Sequence, residues 1–402
     1  MRDLDAHVAR ALALVAPLAA ERLALGGALG LTAARDHAAR DASPPFDNSA
    51  MDGYAVRSAD VQGATPASPV VLPVAGETAA GAPPGVVPAG HAWRIMTGAP
   101  MPDGADAVVP VESTDGGVTD VTMTASVGEG RHVRRAGEDA RPGDVIVHAG
   151  QCFTAVRAGA LAAVGVATVD AVRAPRVAVI ATGDELVDVG EDLAPGQIHD
   201  SNSVLLAGLL RQAGADPVVI AKVSDRPEEL LARIAAVDAD LIVTTGGVSV
   251  GAYDVVKEAL AARGVEFVRV AMQPGKPQGL GLVNGTPTVC LPGNPVSVLV
   301  SFATIVAPML RRLGGDSGGG GIVDSRAHEA AVVDEGWSVP PGRRQFMPVR
   351  FTAAGTVVPA TPGGSGSHLI AGLAAAEALA DVPAGAERVA PGDTVNLVRW
   401  SR

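Results

Sequence analysis

The chain of 402 residues is poor in several residue types that carry common chemistries. It has two cysteines, Cys152 and Cys290, far apart and without CxxC spacing, which excludes a thiolate zinc site and fits a reducing, cytoplasmic setting. Its eight histidines form no HExxH. Aromatics are 3%, and only Lys222, Lys257 and Lys276 are lysines among 31 basic residues, so a lysine inside a motif stands out. The net charge is −12, with no basic stripe or arginine-rich arm to neutralise a phosphate backbone, and nucleic acid is not an expected partner. Small anions stay open through local sites. The most apolar stretch, 295–310, is shorter than the roughly 20 residues that span a bilayer and carries Ser297, Ser301, Thr304 and Pro308. It reads as a buried helix, and no membrane partner is expected. The opening Met1-Arg2-Asp3-Leu4-Asp5 is acidic and lacks the apolar core of a signal peptide, so export is not expected.

What is abundant is apolar residues, at 48%, together with 49 glycines and 30 prolines. That composition gives a large core cut by many tight turns, and at about 150 residues per domain it implies two to four domains. Leu4, Val8, Leu12, Val15 and Leu18 recur at helical spacing behind Asp3, which predicts a helix from 4 to about 18, with a second helical stretch before Ser43. From Phe46 to about Arg134 the texture becomes short alternating runs at 70–74, 92–96, 107–111 and 118–124 between Gly, Pro and Asp turns, a β-rich insert. Residues 135–173 hold a strand, an alanine-rich helix and another strand that resume the unit the insert interrupts. From Arg176 strand and helix alternate, the signature of a doubly wound parallel sheet. A glycine-rich stretch, 314–321, then precedes short strands that read as a small β-barrel. The expected domains are 1–45 plus 135–173, a linker domain; 46–134, the insert; 174–313, the α/β domain; and 322–402, the barrel.

In an open parallel sheet, ligands bind beyond the carboxyl ends of the strands. The residues there are Thr182-Gly183-Asp184-Glu185, Asp200-Ser201-Asn202, Ser224-Asp225, Thr244 to Gly251 with Asp254, Pro274-Gly275-Lys276-Pro277 and Leu291-Pro292-Gly293-Asn294-Pro295. Gly246 and Gly247, followed by Ser249 and Gly251, either offer free backbone N–H groups to a phosphate or merely make a tight turn. Asp184, Glu185, Asp225 and Asp254 on one rim would repel one another unless a hard cation such as Mg²⁺ sat among them; Asp184 and Asp225 taken singly can equally be helix caps. Lys276, between two prolines, is a point charge for an anion. The string Pro44-Pro45-Phe46-Asp47-Asn48-Ser49-Ala50-Met51-Asp52-Gly53-Tyr54-Ala55 is rich in Asp, Asn and Ser, and periodicity gives it only the role of a boundary loop with Asx turns.

That string, with RIMTGAPMPDGADAVVPVE, RRAGEDARPGD, ATGDEL, GQIHDSNS, TTGGVSVGAYDVVK, QPGKP and LPGNPVSV in this order, resembles the MoeA-type molybdopterin molybdenumtransferases, the family that includes the gephyrin E domain. The likeness runs over essentially the whole chain, and the insert with DNSAMDGYA separates this family from others that share the α/β domain. It implies molybdenum cofactor biosynthesis: adenylylated molybdopterin and molybdate give the cofactor, AMP and water, with Mg²⁺ or a similar divalent cation. In that reading Gly246, Gly247, Ser249, Lys276 and Asn294 hold pterin and phosphate, Pro292 and Pro295 shape the floor, and Asp184, Glu185, Asp225 and Asp254 place metal and water for catalysis. Asp52, Thr97, Arg135 and Asp139 reach in from the other subunit of an elongated homodimer, completing a shared site. Molybdopterin adenylyltransferase and molybdoenzymes are the further partners it implies. Some relatives carry a lysine where Gln273 stands, which places more of the anion binding on Lys276, and the turn with Ser365 and Ser367 matches only loosely. The rivals are a non-catalytic gephyrin-like scaffold, disfavoured by the lack of a fused domain, and a nucleotide hydrolase sharing the α/β domain, disfavoured by the insert.

Overall fold

The computed structural model describes residues 1–79, 81–224, 226–248, 255–316, 329–361 and 365–400. Asp225, Ser249, Gly251, Asp254 and most of the 314–321 stretch therefore lie outside the described residues. The chain forms two compact units, one of Met1–Arg35, His148–Thr154 and Val169–Arg402, the other of Asp36–Val147 and Ala155–Thr168.

The first unit is α/β, built on a six-stranded sheet in the order Asp216–Val223, Arg176–Thr182, Leu241–Thr245, Thr286–Leu291, Pro277–Val283, Val265–Arg269. Side chains alternate between its faces because a strand has a period of two. Val177 and Val179 pack with Leu206, Leu210 and Phe302, while Ala178 and Ile180 pack with Leu230, Ile234, Val256 and Leu260. Helices thus cover both faces, as the strand and helix alternation predicts. The first four strands of that order are parallel; Pro277–Val283 runs against them, and Val265–Arg269, antiparallel to it, returns to the common direction. The reason is local: Asn284 and Gly285, at φ 51° and 85°, form a two-residue hairpin turn that cannot carry a parallel crossover.

The apolar 295–310 stretch is a helix reaching Leu313, and 78% of its most apolar window is buried in the core. Its middle, Phe302–Val306, widens to a π-helical turn where Pro308 removes a backbone donor. The first helix spans Leu4–Ala13, with Asp3 accepting from the N–H groups of Asp5 and Ala6. It stops short of residue 18 because Pro17 follows. The expected second helix is absent: a strand Ala20–Ala24, a 3-10 turn Leu25–Ala28 and a short strand Thr32–Ala33 take its place, since Gly26, Gly27 and Gly30 make a helix costly there. Toward the C-terminus, Arg344–Phe351, Ala378–Val382, Thr394–Val398 and Glu329–Val332 pair in that order, with Val357–Pro359 beside the first. Met272–Gln273, just before the lysine loop, adds a parallel strand to the same sheet.

The second unit holds the β-rich insert, a five-stranded sheet ordered Ala107–Pro110, Gly53–Val56, Ala92–Ile95, Val70–Thr78, Asp120–Met123. The boundary-loop reading of the DNSAMDGYA string holds only to Asp52. Gly53–Val56 is a buried inner strand, and a Cβ on Gly53 would lie 2.1 Å from the Val109 carbonyl oxygen.

Beneath the first helix His7 is fully buried. The Arg2 guanidinium stands 3.4 Å from His7 Nδ1 and also pairs with Glu266. Arginine can only donate, so the ring is neutral and carries its proton on Nε2. Burial, and then Arg2, pull its pKa from 6.5 down to about 4. Between those values the unfolded chain takes up a proton that the fold refuses, so stability falls as pH drops through the window. Urea unfolding should show about 2 kcal/mol lost between pH 7 and pH 5, and His7→Leu should remove most of that slope. An unchanged slope would assign it to other groups.

Candidate active site

A cavity of about 820 Å³ opens at the carboxyl ends of the parallel strands. It lies at the switch point of the sheet, where Arg176–Thr182 leads to one neighbour and Leu241–Thr245 to the other side. Its wall includes Glu185, Asn202, Gly246, Gly247, Lys276 and Asn294, with Pro292 and Pro295 beside them. The sheet brings these residues together from five loops that are distant in sequence.

Two glycines make the crevice narrow. Gly246 has φ 93°, and a Cβ there would lie 2.6 Å from the Thr182 carbonyl oxygen; Gly247 has φ 62°, and its Cβ would lie 2.8 Å from Val256 Cγ2. Both positions need glycine for conformation and for space, which makes the turn a structural necessity and leaves its backbone bare toward the cavity. The 291–295 loop is tied at both sides. Asn202 Nδ2 donates to the Gly293 carbonyl at 2.7 Å, and Asn294 Nδ2 donates to Ser367 Oγ at 2.9 Å. Ser367 and His368 line the cavity too, so the serine turn that sequence alignment placed only loosely is part of this wall.

The cationic side is richer than the sequence suggests. Lys276 lines the cavity, and Gln273 on the same loop accepts a hydrogen bond from Arg343 Nη1 at 2.9 Å. Arg343 Nε is buried without a partner. Lys276 is therefore not the sole cation near this loop; Arg343, 67 positions away in the sequence, is held beside it through Gln273. No local pattern could have pointed to it, because the Met272–Gln273 strand meets Arg344–Phe351 only in the folded sheet.

On the acidic side, Glu185 lines the cavity and its carboxylate folds over Gly183, where a Cβ would meet Oε2 at 2.6 Å. Asp184 is exposed and is not part of the wall. Among the described residues no group of three or more His, Cys, Asp or Glu is placed to hold a metal ion. Asp200 caps the helix Ser201–Gln212, its carboxylate accepting from Ser203 N and Oγ.

The second unit gathers its own set on adjoining loops. Asp52 Oδ1 accepts from Thr97 N at 2.6 Å and Thr97 Oγ1 at 2.8 Å, and these bonds hold its carboxyl below the usual range. Asp47 accepts from Ala136 N at 2.8 Å and from Arg135 Nη1 at 2.6 Å, with the same effect. Asp47 was not singled out in the sequence; the only signal was its place in the DNSAMDGYA string. Asp139 follows on the same turn, its N–H donating to the Ser43 carbonyl. Val133–Arg134 pairs with Asn48–Ser49, which sets these loops side by side.

Residues 2–165 match the family described as the MoeA N-terminal region, domains I and II; residues 178–312 match a probable molybdopterin binding domain; and residues 330–400 match the MoeA C-terminal region, domain IV. Molybdopterin molybdenumtransferase 2 of Mycobacterium tuberculosis is 47% identical over 382 residues, 92% of each chain. Molybdopterin molybdenumtransferase 1 of the same organism is 37% identical over 425 residues, covering 99% of this chain and 98% of the relative. The crystal structure of the molybdopterin biosynthesis moea protein from Pyrococcus horikosii superposes with a TM-score of 0.83 at 31% identity, covering 100% of this chain and 99% of the other.

The glycine argument separates two neighbouring positions. Gly246→Ala should cost roughly 1–3 kcal/mol of stability through its positive φ and the Thr182 clash. Gly293→Ala, whose Cβ would make an ordinary 3.4 Å contact with Gly246 Cα, should stay within about 0.5 kcal/mol. Thermal melting of the two variants decides it, and equal losses would refute the crevice geometry.

Proposed function

This chain belongs to the MoeA family, and on that premise we propose how its own residues divide the work of molybdenum transfer. Its place is in molybdenum cofactor biosynthesis, as a transferase acting on molybdopterin. The reading rests on one observation: a single cavity presents bare glycine backbone and Lys276 together with the Glu185 carboxylate. Adenylylated molybdopterin and molybdate are the substrates, and AMP is the leaving group. The Gly246 N–H is itself bonded to the Leu291 carbonyl at 3.2 Å, so the backbone N–H groups that follow it receive phosphate oxygens, and Lys276, with Arg343 behind Gln273, draws in the oxyanion. These fixed donors also favour the charge that separates as the phosphoanhydride opens. Pro292 and Pro295 keep the floor rigid while Asn294 and Ser249 complete the cradle.

Magnesium is commonly held by one or two carboxylates plus substrate phosphates, and Glu185 at the cavity wall fits that modest donor set. Asp225 and Asp254 complete the carboxylate group in this proposal, and Asp184, next to Glu185 but outside the wall, adds negative charge to the same loop. Bound there, the ion would neutralise phosphate charge. Asp52, Thr97, Arg135 and Asp139, with Asp47 holding Arg135, serve the cavity of a second copy, making the working form a homodimer. Two buried cysteines, neither in a disulfide, suit a reducing, cytoplasmic environment.

Purified protein should release AMP from adenylylated molybdopterin only when molybdate is present; release that ignores molybdate would mark a hydrolase instead. Lys276→Gln should raise the molybdate concentration for half-maximal release by on the order of tenfold, the size of a charge-assisted hydrogen bond. For the shared site, an Asp52→Ala chain and a Glu185→Ala chain, each inactive alone, should regain activity when mixed, because a heterodimer rebuilds one intact site. No recovery after verified subunit exchange would exclude the shared arrangement.

A further inference from the structure

Asn202 has a feature that the anion-binding account leaves unused. It sits at the start of the helix Ser201–Gln212 and lines the cavity. Its Nδ2 is committed to the Gly293 carbonyl at 2.7 Å. A carbonyl can only accept, so the amide group must face Gly293 and the side-chain oxygen must face the other way. That oxygen, Oδ1, is shielded from solvent and has no hydrogen-bond partner. The adjacent Asp200 is fixed as the helix cap by Ser203 N at 3.0 Å and Ser203 Oγ at 2.5 Å and keeps spare acceptor positions of its own, whereas Asn202 Oδ1 has no donor at all.

We infer that Asn202 is a specificity-determining residue whose Oδ1 accepts a hydrogen bond from an N–H or O–H donor of the organic substrate. The inference rests on the function proposed above. A shielded acceptor without a donor is unfavourable, and a ligand that brings the donor recovers the loss. Phosphate and molybdate oxygens cannot do this, because they are acceptors themselves. The cavity is therefore polar in a directed sense, with donors and cations around Gly246, Gly247 and Lys276, and an acceptor at Asn202. A substrate with anionic groups at one place and a donor-bearing heterocycle or sugar at another fits in one orientation. The donor is either the amino and ring-amide edge of the pterin or the hydroxyl and amino groups of the adenylate half.

Asn202→Leu removes the acceptor and the tie to Gly293; Asn202→Asp keeps an acceptor and loses the tie. Titration calorimetry of wild type and both variants with molybdopterin, AMP and molybdate separates the roles. Asn202→Leu should weaken one organic ligand by on the order of tenfold while molybdate affinity stays unchanged. Asn202→Asp should bind that ligand more tightly than Asn202→Leu does, while melting at a lower temperature than wild type. Selective loss for molybdopterin places the pterin edge at Asn202, and selective loss for AMP places the nucleoside there; either supports the inference. Equal loss of all three ligands in both variants would mean that Asn202 only anchors the 291–295 loop, and unchanged affinities would mean that Oδ1 meets no donor. Both outcomes overturn it. Wild-type protein that binds neither molybdopterin nor AMP would instead overturn the functional reading beneath it.

Discussion

Everything at the cavity depends on how closely the ends of three parallel strands approach one another. Gly246 lies against the Thr182 carbonyl, and Gly293 lies against Gly246. No side chain separates them. Two faces of packed apolar residues hold the strands at fixed spacing, so the loops that leave them must meet in a narrow crevice. A substituent of even one carbon at Gly246 would push the ends of the adjacent strands Arg176–Thr182 and Leu241–Thr245 apart. The bare backbone that results leaves the loop after Thr245 open to the cavity with no side chain in the way.

The crevice is also a junction within the first unit. Gln273 ends a two-residue strand paired to Arg344–Phe351, and its side chain takes a hydrogen bond from Arg343. Ser367 takes one from Asn294. The C-terminal strands thus form part of the cavity wall, and the charge around the lysine loop is set partly by a residue far along the chain. A buried guanidinium nitrogen with no partner, Arg343 Nε, is costly unless an acceptor reaches it.

The second unit presents carboxylates of a different kind. Asp47 and Asp52 are each engaged by a backbone N–H and a side-chain donor, which lowers their pKa and keeps Arg135 and Thr97 in place. A carboxylate whose pKa is pulled down is also a weaker proton acceptor.

Much of this was legible in the sequence. Strand and helix periodicity gave the α/β sheet and the β-rich insert, because alternation and helical spacing are local consequences of burial. The motif strings placed Glu185, Gly246, Gly247, Lys276 and Asn294 near one rim, because strand-end loops of a parallel sheet share an edge. The glycine-rich 20–33 segment misled the helix reading, since apolar residues at helical spacing do not make a helix where glycine is dense. One sheet strand, Pro277–Val283, runs against the rest because an Asn-Gly pair joins it to Thr286–Leu291 as a hairpin. Tertiary structure alone decided that Asp184 is not part of the described wall while Glu185 is, because two adjacent side chains leave a loop in different directions. It alone brought Arg343 to Gln273, Ser367 to Asn294 and Asn202 to Gly293, contacts between residues 70, 73 and 91 positions apart. Spacing in a sequence fixes which side chains share a strand or a helix face; only the closure of one element on another fixes which donor finds which acceptor.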